Sequence, residues 1–222
     1  MKILIDTNIL RRAVTHVTEM IPQTVKWGPH DVTRNVAQRT PRPPRIDEND
    51  IREDLACLAT LCTSAREGRL EFFTAFELQM EELRQEYPHE GYLGINLFRG
   101  VPLKTVPCPI QRSIVIGSAA SASITKKEQR DFFRSIQNPR FLEINNATDK
   151  AHIADVFHLW TAEEASLDVF LTMDYRFRNV VNQKNKIVKS RTAVMTPKEL
   201  CEHLRLESSD IEKLAADINP FS

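Results

Sequence analysis

Apolar residues run unbroken at Ile3-Leu4-Ile5 and again at Val169-Phe170-Leu171, and polar residues close each run: Asp6-Thr7-Asn8 in the first, Thr172-Met173-Asp174 in the second. Short unbroken apolar runs, as opposed to alternating ones, read as strands buried on both faces of a parallel sheet. Further strands are predicted over residues 70–73, 141–144 and 193–195. Between them the spacing predicts helices over 8–19, 50–67, 75–86, 125–137 and 148–165, and one opening at Thr196. In the 50–67 segment Ile51, Leu55, Leu58 and Cys62 recur at helical spacing and Gly68 supplies a stop. Thr125-Lys126-Lys127-Glu128 and Thr196-Pro197-Lys198-Glu199 both have capping-box spacing, the second with proline at the first helical position. Strands alternating with helices predict an α/β fold, a central parallel sheet between two helical layers.

Two stretches interrupt that alternation. Over 20–46 the periodicity fades into Pro22, Pro29, Pro41, Pro43 and Pro44, with Lys26, Arg34, Arg39, Arg42 and Arg45 making the segment basic. It is expected as a loop-like insertion whose Trp27 could stack on a base. Residues 87–124 carry seven Gly or Pro from Pro88 to Pro109 and then the run Gly117-Ser118-Ala119-Ala120-Ser121-Ala122-Ser123, which marks a second insertion. The expected organisation is one domain over 1–205 with these two insertions, followed by a helical tail over 206–222.

Composition narrows the classes. The 222 residues are 41% hydrophobic, enough for a well-buried core. Thirty basic and thirty acidic residues cancel, which argues against an overall positive field for indiscriminate duplex binding. No window has the length of a membrane span, and the N-terminal segment lacks the apolar core of a secretory signal. Cys57, Cys62, Cys108 and Cys201 form no C-x-x-C pair. A reduced, cytoplasmic protein without membrane association is expected.

The candidate chemistry lies in the acids. Asp6 and Asp174 sit just past two predicted strand ends, where ligand crevices of open parallel sheets open. Glu77, in the first turn of the helix after residues 70–73, and Asp155, three residues before His158, bring two more acids towards the same side. Each has a plain structural explanation as a helix cap or a dipole partner. Four acids together would repel without a cation, and hard oxygen ligands in that arrangement suit Mg2+ or Mn2+. Asp149, followed by His152, offers a second register for the third acid, with a longer gap to the strand than Asp155 has. In one continuous helix His152 and His158 are about 600° apart and do not share a face, so His158 is expected to pack or to support a ligand. Arg176 and Arg178, just after Asp174, are candidates for phosphate contact. Aspartyl phosphatase chemistry ranks last, because Asn8 stands where a second acid is usual.

Ile5-Asp6-Thr7-Asn8, Thr74-Ala75-Phe76-Glu77-Leu78, the segment from Asp155 to Ala162, and Phe170-Leu171-Thr172-Met173-Asp174 together resemble the PIN-domain family of metal-dependent ribonucleases. Met195-Thr196-Pro197 looks like that family's closing strand and turn. The resemblance implies that Asp6, Glu77, Asp155 and Asp174 hold one or two Mg2+ or Mn2+ ions, with Asn8 and Thr172 in support. It implies endoribonuclease activity on single-stranded or structured RNA. A small antitoxin-like protein and a homodimer are the partners it adds to RNA. The competing reading is a weakly active or inactive PIN-like module that binds RNA or protein.

Overall fold

The computed structural model describes residues 1–14, 16–41, 52–84, 96–110, 112, 125–148 and 150–208. Five parallel strands form its central sheet: β1 (Lys2–Ile5), β4 (Glu71–Ala75), β5 (Leu103–Val106), β6 (Val169–Leu171) and β7 (Ala193–Met195), in the order β5-β4-β1-β6-β7. Central β1 is apolar on both sides. Ile3 and Ile5 face one helical layer, formed by α1 (Thr7–Arg12), α2 (Arg52–Arg66) and α8 (Pro197–Leu204). Leu4 faces the other, formed by α3 (Phe76–Leu83), α4 (Lys126–Ser135), α5 (Pro139–Ala147), α6 (Ile153–Glu164) and α7 (Tyr175–Val188). This is the expected three-layer α/β/α arrangement.

The helix that matters most for the site is α6, whose residues from Val156 to Glu163 are all buried. An aromatic cluster fixes it: Phe157 stacks on Phe133 with ring centroids 4.4 Å apart, and Trp160 packs against Phe141 at 5.5 Å. Phe157 is fully buried, and such a ring contributes on the order of 3 kcal/mol or more to a core. The first turn of α6 is thereby held at the carboxyl end of the sheet.

Several expected elements differ. Residues 141–144 belong to α5, not to a strand: Asn138 caps that helix, accepting from the backbone N–H groups of Arg140 at 2.9 Å and Phe141 at 3.2 Å, and Pro139 follows. Phe141 and Ile144, one turn apart, carry the run's apolar character into the core, a short pattern that fits strand and helix alike. The fifth strand is β5, from within the 87–124 segment, paired to β4 at the edge of the sheet. α1 ends at Arg12, short of the expected residue 19.

The basic segment is not a loop. β2 (His16–Trp27) and β3 (His30–Pro41) form an antiparallel hairpin with Trp27 opposite His30. Gly28, at φ 62°, occupies the first central position of the tight turn, where a primed turn requires positive φ, and Pro29 follows. Pro22 is tolerated because both strands of a two-stranded ribbon are edges with one unpaired side. Trp27 is 78% exposed at the tip.

Asp149 and residues 209–222 of the expected helical tail lie outside the described residues, as does most of 87–124. Among the described residues no helix is long and apolar enough to cross a membrane.

Candidate metal centre

From β1 the chain moves to β4 and β5 on one side and later to β6 and β7 on the other, so the strand order reverses between β1 and β6. Neighbouring connections diverge there, and a crevice opens at the carboxyl ends of the two strands. Asp6 enters it directly from β1, its backbone N–H still paired to the Leu171 carbonyl at 3.0 Å. Thr172 enters from β6 with its N–H on the Met195 carbonyl at 3.0 Å.

Asp6 is 3% exposed, and three side chains donate to it. Oδ2 accepts from Asn8 Nδ2 and from Thr172 Oγ1, each at 2.6 Å, while Oδ1 accepts from Thr7 Oγ1 at 3.2 Å. Asn8 also ties the two strand ends together, since its Oδ1 accepts from the Met173 N–H at 3.0 Å. Thr172 Oγ1 in turn accepts from the Asp174 N–H at 3.0 Å, and Asp174 Oδ1 accepts from the Phe177 N–H at 2.9 Å at the start of α7. Asn8 and Thr172 thus orient Asp6 and place Asp174.

Burial pushes the Asp6 carboxyl up to about 7, and the neighbouring charge of Asp155 adds to the rise. The Thr172 hydrogen bond and His158 pull the other way, and Glu81 raises it further. Two anionic neighbours crowd one buried acid. A bound divalent cation would relieve that arrangement.

Asp155 lies in the first turn of α6, with its Oδ2 3.3 Å from His152 Nδ1. His152 ends a one-turn 3-10 helix, Lys150–His152, and stands at the N-cap of α6. Asp174 completes the group: one ligand atom from each of His152, Asp155 and Asp174 lies within 4.8 Å of the others. An ion with bonds of about 2.1 Å separates its ligands by up to about 4.2 Å, so modest closure of the side chains would bring the three donors onto one cation. This His-Asp-Asp group could hold a metal ion.

Glu77 and Glu81 of α3 have different surroundings. Glu77, 1% exposed, turns to the α4 side, where its Oε2 accepts from Gln129 Nε2 at 2.8 Å and pairs with Arg112 at 3.2 Å. Arg112 itself lies over the Phe132 ring at 4.8 Å. The α3 acid that acts on Asp6 is Glu81, one turn on. Its Oε2 accepts from Thr7 Oγ1 at 3.0 Å, and its Oε1 lies 3.1 Å from Nε2 of the buried His158. Burial raises the Glu81 carboxyl, but His158 and Thr7 outweigh that and hold it below the ordinary value. Burial lowers His158, and the charges of Glu81, Asp6 and Asp155 overcome it, so the imidazole titrates above its ordinary value.

Sequence reasoning singled out Glu77 and passed over Glu81, although the two share a helix face at i and i+4. Helical periodicity does not choose between them. The choice is made by Arg112 and Gln129, which occupy Glu77 from distant parts of the chain. Because Glu77 neutralises the largely buried Arg112, Glu77→Ala is expected to cost about 3 kcal/mol in urea denaturation and to leave divalent-ion affinity unchanged.

The two expected phosphate contacts also differ. Arg176 is exposed in the first turn of α7. The Arg178 guanidinium is paired with Glu199 of α8, its Nε at 3.0 Å from Oε2.

No family model, curated protein or solved structure matches the chain.

Proposed function

We propose that this protein is a PIN-like endoribonuclease that hydrolyses RNA phosphodiester bonds with Mg2+ or Mn2+ at the crevice between β1 and β6. The carrying observation is the gathering of His152, Asp155 and Asp174, with Asp155 also facing buried Asp6, whose carboxyl burial and like charge destabilise as an anion. Asp155, Asp174 and His152 would hold the cation, with Asp6 beside them. A divalent cation bound there supplies Lewis-acid polarisation of a phosphoryl oxygen and lowers the pKa of water. Asn8 and Thr172 keep Asp6 Oδ2 aimed, through bonds of 2.6 Å each. Glu81 is partly open, with 20% of its side chain exposed, and is the carboxylate suited to accept a proton from an attacking water, with His158 balancing its charge. The single proton of Thr7 Oγ1 lies between Asp6 Oδ1 and Glu81 Oε2, so it couples the protonation of the two acids. RNA as the substrate comes from the resemblance of the four motifs to PIN-domain ribonucleases. The cytoplasm belongs to the same reading, and the free thiols of all four cysteines support it.

The alternative is a PIN-like module that binds RNA or protein without cleaving RNA, and in either reading Arg178 is already paired with Glu199, which leaves Arg176 as the exposed candidate phosphate contact. Incubating the purified protein with single-stranded RNA, in Mn2+ or Mg2+ and then in chelator, separates the two. Cleavage that chelator abolishes supports the nuclease, and intact RNA in both ions overturns it.

A further inference from the structure

A site made only of carboxylates would be a hard-oxygen site, and this one contains an imidazole. His152 Nδ1 lies 3.3 Å from Asp155 Oδ2. A charge-assisted N–H···O bond is shorter, about 2.7 to 2.9 Å. Two adjacent ligands of an octahedral ion with bonds of about 2.1 Å lie about 3.0 Å apart, and opposite ligands about 4.2 Å. The 3.3 Å separation falls between those two values, and the 4.8 Å that bounds all three donor pairs exceeds the larger by about 0.6 Å, so small side-chain movements bring the three donors onto one ion.

The donors are also held in place. The His152 ring packs on fully buried Phe177 with centroids 5.6 Å apart, and its side chain is 12% exposed. Asp174 caps α7 through Oδ1, which fixes its carboxylate. Asp155 is carried by the first turn of the rigid, aromatic-packed α6. Both histidine and aspartate ligands therefore come from side chains held close to their liganding positions before an ion arrives, with only a modest closure left to make.

The geometry points to His152 as a nitrogen ligand, making this a mixed imidazole-carboxylate centre that takes Mn2+ in preference to Mg2+. The inference rests on the proposal that the cluster binds a divalent cation, and it deepens that proposal by naming the ligand that selects the ion. Mg2+ demands near-ideal oxygen coordination and gives up its water reluctantly, whereas Mn2+ accepts imidazole alongside carboxylate. Asp155 and Asp174 alone would discriminate weakly between the two, so the selectivity resides in His152.

The test uses the full chain and each metal salt alone. Calorimetry is expected to give at least about tenfold tighter binding of Mn2+ than of Mg2+, and pulsed electron paramagnetic resonance of the Mn2+ complex is expected to show coupling to a nitrogen nucleus. His152→Gln is expected to lose that coupling and to weaken Mn2+ about tenfold while changing Mg2+ affinity less than about twofold; His158→Gln is expected to keep the coupling. Mn2+ bound to the unaltered chain without nitrogen coupling overturns the role of His152 and leaves the carboxylate site standing. Equal losses for both ions in His152→Gln overturn the selectivity. Failure of the unaltered chain to bind either ion overturns both the inference and the metal centre beneath it.

Discussion

Asp6→Asn is expected to reduce divalent-ion-dependent RNA cleavage at least about 10²-fold while leaving the fold intact. The argument for intact folding is local. Both short bonds, from Asn8 and Thr172, go to the same oxygen, Oδ2, and an amide oxygen in that place accepts both. The amide nitrogen then faces Thr7 Oγ1, which accepts from it and keeps its own proton for Glu81 Oε2. The substitution removes a buried charge facing Asp155 and Glu81, so stability without metal should hold or rise. Activity is lost because the group that binds or balances the cation is gone. The measurement is cleavage of labelled single-stranded RNA beside a thermal melt. Undiminished cleavage by a folded variant would remove Asp6 from the machinery.

The parts of this architecture legible in the sequence are those whose signal is local. β1 and β6 announce themselves because strands buried on both faces do not alternate. The capping boxes at Thr125 and Thr196 have a side-chain pattern that needs only four residues, and both are formed. What was not legible depends on partners far along the chain. β5 has three exposed residues of four and becomes a strand through pairing with β4. The run at 141–144 reads as a strand until Asn138 and Pro139 are recognised as a helix start. The hairpin of β2 and β3 is concealed by Pro22, which a central strand would not accept but a two-stranded ribbon does.

The candidate site divides the same way. Asp6 and Asp174 follow from strand ends, and Asp155 from the helix leading into β6. His152 enters the sequence reading only beside Asp149, in the alternative register, whereas a 3-10 turn ends at it and brings its imidazole to Asp155. Glu81 replaces Glu77 beside Asp6 because Arg112 and Gln129 compete for Glu77. Both differences arise from tertiary placement that no spacing rule contains.

In chelator, the protein is expected to be more stable at pH 5.5 than at pH 8, by about 2 kcal/mol from Asp6 alone. Asp6 titrates at 3.8 unfolded and at about 7 folded. An acid raised on folding is penalised while charged, so at pH 8 the folded state carries the full cost of its buried anion. As pH falls below about 7 the folded state takes up a proton that the unfolded state still lacks, and stability rises by roughly 1.4 kcal/mol per pH unit. His158 acts in the same direction: its pKa is raised on folding, so its contribution is present below its ordinary value of 6.5 and lost as pH rises through the folded one. Glu81 and Glu163 are held low, and what they contribute is lost only as pH falls below their ordinary 4.5. The optimum therefore lies between about pH 5 and 6. For a domain of this size 2 kcal/mol corresponds to about 4 to 8 °C in Tm. Saturating Mn2+ should raise Tm more at pH 8, where buried Asp6 is an anion that a cation would balance, than at pH 5.5, where a proton on Asp6 already neutralises it. Asp6→Asn should flatten the profile without metal. A chelated wild-type protein whose Tm climbs from pH 5.5 to pH 8 would show that Asp6 is not held as a repelled, buried acid, and the electrostatic ground for a cation at this crevice would go with it.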